Sequence, residues 1–178
     1  MAIVVGNATE QDILEIILLI AQLRGPTPTP EQMEAVGGVY RAMLEDSNHA
    51  VRVAQIEGQT AGVMLCQLRP RGNWLTPELW IADLAVTDNA WRRGAGHALV
   101  KEALNIAAGW QCHRVVIEAA RDGRALQNLL RSFEFEFDSR TFVYDLVGQP
   151  TATELHGVTA EASPSQTGVP LVVYDLGV

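Results

Sequence analysis

The sequence predicts a mixed α/β fold, and three patterns in the 178 residues carry that reading. Apolar runs of strand length fall at 2–5, 50–56, 60–68, 80–86 and 114–119. Segments with helical spacing fall at about 13–23, 31–45, 94–108 and 124–133, between strands rather than at one end. The tripeptide Glu57-Gly58-Gln59 joins two of the runs as a tight hairpin. With a closing pair at 135–137 and 141–146, the order is β-α-α-β-β-β-α-β-α-β-β, which belongs to neither an all-helical nor an all-strand class.

The elements follow in order. After the first strand, Thr9 and Asp12 stand at capping-box spacing and open the first helix. That helix is apolar nearly all round, with Ile13, Ile16, Ile17 and Ile20 on one face and Leu14 and Leu18 on another, so it is expected to be buried between layers. Pro26, Pro28 and Pro30 break it and introduce the second helix. Beyond residue 148 the composition turns to Thr, Ala, Ser, Gly and Pro, so a domain at 1–148 is expected to precede a flexible extension at 149–178. The tetrapeptide Val-Tyr-Asp-Leu occurs at 143–146 and again at 173–176, either by chance or as a second strand able to pair with a sheet edge.

Composition removes several functions. The formal charge is −8 and Lys101 is the one lysine, so the chain lacks the cations that replace phosphate counterions on nucleic acid. The apolar run from Ile13 to Leu23 is too short to span a bilayer, and no secretory leader is evident, so a cytoplasmic location is expected. Cys66 and Cys112 match no metal spacing and read as free thiols, with no metal site expected.

The chemistry is carried by a strand, a polar loop, Arg92-Arg93-Gly94-Ala95-Gly96 and a helix. A helix N-terminus presents unpaired N–H groups and about half a positive charge. The glycines tolerate positive φ and leave the backbone open to an anion, and the arginines add charge at the rim. Together they predict a seat for a diphosphate. Leu99 stands where a Rossmann fingerprint needs its third glycine, and no Gly-Lys-Ser/Thr sequence completes a P-loop.

The segment IADLAVTDNAWRRGAGHALVKEAL resembles the cofactor-binding motif of the GNAT superfamily of acyl-CoA N-acyltransferases, (Gln/Arg)-x-x-Gly-x-(Gly/Ala) after an apolar strand. Gly94 and Gly96 match the two small residues, while Trp91 replaces the leading Gln or Arg. The order of elements across about 3–146 is also the family's. The resemblance implies a mostly antiparallel sheet of six to seven strands flanked by about four helices, with the fourth and fifth strands splayed apart. It implies acetyl-CoA as cosubstrate, with the pantetheine arm along the main chain of Leu84, Ala85 and Val86. The diphosphate would lie on the N–H groups from Arg92 to His97, with Trp91, Ala95 and both glycines shaping the loop. A valine at 96 would then enter diphosphate space and abolish cofactor binding in an intact fold. Pairing as a homodimer is common in the family.

Acetylating an amine requires removal of a proton. A lysine-like amine of pKa about 10.4 is only about 0.04% neutral at pH 7, a cost of roughly 4.6 kcal/mol, so a carboxylate or histidine should accept the proton. Asp83 is the first candidate as base or ammonium anchor, Glu78 the second and Glu118 the third. The resemblance places a Glu before Asp83, where this chain has Ala82, and a general-acid Tyr where it has Leu130 or Leu129. His49 and His113 read as surface histidines at strand starts. The expected reaction is transfer of acetyl to a primary amine of a small molecule or peptide by direct attack, without a cysteine intermediate. The alternative is a CoA-sensing module with the same fold and no turnover.

Overall fold

The computed structural model describes residues 2–137 apart from 25, 73–74 and 120–122. The chain divides into units at 1–143 and 144–178, and the second lies outside the described residues, as does the predicted strand at 141–146.

Strand β1 (Ile3–Asn7) leads through a short 3-10 turn into α1 (Ile13–Arg24), followed by α2 (Pro30–Glu45). Then come β2 (His49–Ile56), β3 (Gln59–Arg69) and β4 (Glu78–Val86). A 3-10 turn at Trp91–Arg93 precedes α3 (Ala95–Gly109), β5 (Arg114–Ile117) and α4 (Arg124–Arg131). The sheet order is β1-β2-β3-β4-β5, antiparallel except for the parallel pair β4–β5.

The helix starts follow from capping. The Thr9 N–H donates to the Asp12 carboxylate at 2.7 Å. At α2, the Thr29 N–H donates to Gln32 Oε1 at 2.9 Å while the Gln32 N–H donates to Thr29 Oγ1 at 3.3 Å.

Two apolar layers flank the sheet. Helix α3 buries Leu99, Ala103, Ile106 and Ala107 against Ala54, Met64, Leu79 and Ile81. On the other face α1 and α2 bury Ile13, Ile16, Ile17 and Tyr40 against Val51, Val53, Val63 and Ala85. The expectation that α1 is buried all round is corrected here. Leu14 and Leu18 are 57% and 40% exposed, because a helix lying on one face of a sheet buries only the stripe that meets it.

Among the described residues the sheet has five strands, not six to seven. The expected strand at 135–137 is not formed. The N–H groups of Phe133 and Phe135 instead turn back to Leu130 O, at 3.0 and 3.1 Å, and satisfy the end of α4.

Candidate active site

Strand β4 is the axis of the site, and a bulge decides which way its side chains point. On the β3 side the register passes from Cys66↔Ile81 to Leu65↔Asp83, leaving Ala82 as an extra residue. Leu79 and Ile81 pack on the α3 side, and so do Leu84 and Val86, whereas Ala82 and Ala85 pack towards α1 and α2. Regular alternation would keep residue 83 with 79 and 81. The extra residue turns Asp83 to the α1–α2 side instead. Its charge is felt by Tyr40 of α2, whose phenol is pushed up to about 12, mainly by burial and then by Asp83.

The separation of β4 from β5 begins at the same place. The parallel ladder runs from Glu78↔Arg114 to Ile81↔Ile117 and stops, while β4 continues to Val86. Bonding to β3 shows which main-chain groups face the opening. The Thr87 N–H donates to Ala61 O at 3.0 Å, so the pairs 87/61, 85/63 and 83/65 exchange hydrogen bonds and the intervening residues turn away from β3. Leu84 and Val86 therefore direct their N–H and C=O groups to the open edge. Ala85 does not, and its expected place beside the pantetheine arm reduces to a side chain on the other face.

The loop after β4 is held by its own bonds. The N–H groups of Ala90 and Trp91 donate to Thr87 O at 2.9 and 3.2 Å, and the Arg93 N–H donates to Ala90 O at 3.0 Å. Gly94 then takes φ +88° and caps α3, a left-handed conformation that side chains resist. Among the described residues, the N–H groups of Arg92, Gly94, Ala95, Gly96 and His97 meet no protein acceptor. Of the loop residues expected to supply N–H groups, only Arg93 is internally committed. Trp91, half-exposed, can offer only its indole. The Arg93 guanidinium lies 3.8 Å from Glu57 in the β2–β3 turn, and the Arg92 side chain is exposed. The His97 ring packs against Phe133, centroids 4.4 Å apart.

The packing around Gly96 itself calls for a glycine. It is buried, and a Cβ there would stand 3.1 Å from Leu129 Cδ2 and 3.6 Å from Val86 Cγ2. Its missing side chain makes room for Leu129 of α4.

Glu78 is brought to a different place from Asp83. It is 2% exposed and receives Arg114 Nε and Nη2, each 2.9 Å from Oε2, with Arg71 Nη1 3.7 Å from Oε1. Five residues of strand put it roughly 16 Å from Asp83, below the point where β5 departs. Its oxygens are spent on guanidinium groups that tie β5 to β4, so the second catalytic candidate is a structural carboxylate. Glu118 follows the end of β5 and is exposed. Leu130 is buried and carries no ionisable group, so this position supplies no acid.

His49 Nδ1 lies 2.7 Å from Asp46, and the His113 ring Nδ1 lies 2.9 Å from Thr76 O, so both histidines brace turns. Burial pushes the Cys66 thiol up to about 12, which removes it as a nucleophile at neutral pH. Among the described residues no three His, Cys, Asp or Glu side chains gather as a metal site, and no helix is long and apolar enough to cross a membrane.

The open edge at Leu84 and Val86, followed by five N–H groups at a glycine-capped helix start, suits a ligand with an amide-bearing arm and a diphosphate. Acetyl-CoA has both. The approach of Tyr40 to Asp83 was not legible, since helical spacing marks Tyr40 only as core, and the bulge has no signal in the sequence.

Solved structures with the same fold are numerous. A transcriptional regulator from Bacillus halodurans C-125 superposes with a TM-score of 0.73 at 16% identity, covering 82% of this chain and 100% of its own. An aminoglycoside acetyltransferase, meta-AAC0020, from an uncultured soil metagenomic sample and in complex with sisomicin, gives 0.69 at 20% identity, covering 82% and 97%. AAC(6')-Iy, in complex with the bisubstrate analogue CoA-S-monomethyl-acetylneamine, gives 0.69 at 16% identity, covering 83% and 100%. No curated protein sequence matches the chain. The model of the acetyltransferase (GNAT) family matches residues 16–135, well over half of the chain, and the protein belongs to that family of enzymes, which take their acetyl group from acetyl-CoA.

Proposed function

We propose that the protein transfers acetyl from acetyl-CoA to a primary amine of a small molecule or peptide by direct attack of the amine on the thioester. The observation that carries this is the bulge at Ala82, which puts Asp83 on one face of β4 at the level where the opposite edge of the strand opens. Leu84 and Val86 hold the pantetheine arm from the open edge, and the N–H groups of Arg92 and of residues 94–97 hold the diphosphate, with Arg92 adding charge. Acetyl-CoA supplies the activated acyl group. Asp83 anchors the acceptor's ammonium and takes its proton, directly or through water. The Leu84 N–H is the donor placed for negative charge developing on the carbonyl oxygen. Proton removal is the more demanding transfer, because a thiol of pKa about 8.5 leaves with less help than an amine of about 10.4 needs to lose its proton.

The acidic balance of the chain, 21 acidic against 13 basic residues, supports a cationic acceptor. Two of the structural neighbours, meta-AAC0020 and AAC(6')-Iy, are named as aminoglycoside acetyltransferases; aminoglycosides bear several amines, and this favours a polyamine-like small molecule as the first acceptor class to try. The reading also places the enzyme in the cytoplasm, in keeping with its free thiols, as a homodimer, with 149–178 as an extension that turnover does not require.

The test is release of CoA thiol on mixing the protein with acetyl-CoA and a panel of amines, with products identified by mass. Turnover on at least one amine is expected, and Asp83→Asn should lower kcat/KM by about 100-fold or more. Tight CoA binding with no product from any amine would replace this reading with that of a CoA-sensing module.

A further inference from the structure

Tyr40 is an unexpected residue for its position. It sits on the inner face of α2, 8% exposed, among Ile13, Ile16, Ile17, Val53, Val63 and Leu65. A buried phenol ordinarily finds a hydrogen-bond partner. Among the described residues no hydrogen bond to the Tyr40 hydroxyl is formed. Asp83 joins Glu78 and Trp80 on the face of β4 opposite α3, and it gets there only through the extra residue at Ala82. Ala82 and Ala85 of β4 pack into the same layer and are both small.

We propose that Tyr40 and Asp83 together seat the acceptor's ammonium, the carboxylate neutralising its charge and the phenol oxygen accepting one of its N–H bonds. This deepens the proposed amine acetylation and rests on it. An ammonium has three donors in a tetrahedral array, and two acceptors on facing elements fix its direction. The N–H bond directed at Asp83 carries the proton that must depart, and it passes to that carboxylate directly or through water. The phenol is held neutral across the working range by burial and by the Asp83 charge, so it offers a lone pair without adding a second negative charge. The site so formed selects a primary amine over a tertiary or quaternary one, since methyl groups would put carbon against the phenol oxygen. Tyr40 is thus a binding and positioning residue, with no part in proton transfer.

The test is steady-state kinetics of Tyr40→Phe on an amine that the wild type acetylates, with a melting curve to confirm folding. KM for the amine should rise about 5- to 20-fold, with kcat within about twofold and KM for acetyl-CoA unchanged. As a second measurement, the wild type should be inhibited more strongly by a non-reactive primary ammonium analogue than by its N,N-dimethyl form, and Tyr40→Phe should narrow that preference. An unchanged amine KM together with an unchanged preference overturns the proposal. So does a loss of kcat at constant KM, which would make Tyr40 a proton-transfer group. If Tyr40→Phe fails to fold, Tyr40→Met with the same inhibitor pair decides. Failure of the wild type on every amine is a separate outcome, which sinks the function itself.

Discussion

Gly96→Val separates two accounts of the glycine loop. An ordinary carbon–carbon contact is about 3.5–4.0 Å, so a Cβ at 3.1 Å from Leu129 Cδ2 is short by roughly 0.5 Å. Alanine needs only a small shift of one flexible side chain, and its better helix propensity offsets part of the strain. Valine adds two methyl groups in a space already closed by Val86 Cγ2 at 3.6 Å. Overpacking of this kind costs about 1–3 kcal/mol, and valine belongs at the upper end. At about 3 °C per kcal/mol for a chain of this size, Tm should fall by roughly 6–9 °C. The assay is denaturant unfolding with CoA affinity measured by calorimetry on the same samples. Leu129→Ala should relieve the clash, so the double variant should recover more than about 1 kcal/mol relative to additivity and bind CoA within about threefold of Leu129→Ala alone. A Gly96→Val protein as stable as the wild type but unable to bind CoA would refute the packing account. It would restore the expectation that position 96 borders the diphosphate.

Three further outcomes follow from the same geometry. Glu78→Gln removes the charge that holds Arg114 and Arg71, both of which keep partial contact with water, so it should cost about 1–3 kcal/mol by urea unfolding while leaving kcat/KM within about threefold. Cys66 should resist alkylation at pH 8 until the chain unfolds, whereas the half-buried Cys112 should react, and Cys66→Ala with Cys112→Ala should keep full turnover. The Cys66 thiol and Tyr40 phenol are both raised to about 12 in the folded chain. Folding therefore favours their neutral forms, and their contribution is complete below their ordinary values and lost as pH rises from about 9 towards 12. Alkaline melting curves should show that loss, and Cys66→Ala should make it shallower.

Much of the fold was legible because it rests on local rules. The spacing of Thr9 and Asp12, the prolines at 26–30, the turn at Glu57-Gly58 and the apolar stripes of α2 and α3 each act within a few residues. The glycine-capped start of α3 was legible for the same reason. A glycine that must take φ +88° at a helix start is a property of one position and its neighbours. The five strands found by their apolar runs all formed, with ends shifted by up to two residues. The strand at 135–137 did not form, and the N–H of its first residue, Phe135, bonds the open carbonyl of Leu130 instead.

What the sequence determined by itself is the mixed α/β class, the position of the glycine-capped loop before α3 and the family to which the chain belongs. Tertiary structure alone decided which face of β4 carries Asp83, that Glu78 is consumed by Arg114 and Arg71, that Leu84 and Val86 rather than Ala85 face the open edge, and that Tyr40 stands near Asp83. The reason is that a β-bulge costs one unpaired residue and reverses the facing of everything after it. Whether a strand bulges depends on the partner strand and the layers above and below, which lie from 17 residues away at Leu65 to 69 at Ile13. No residue at 82 announces it.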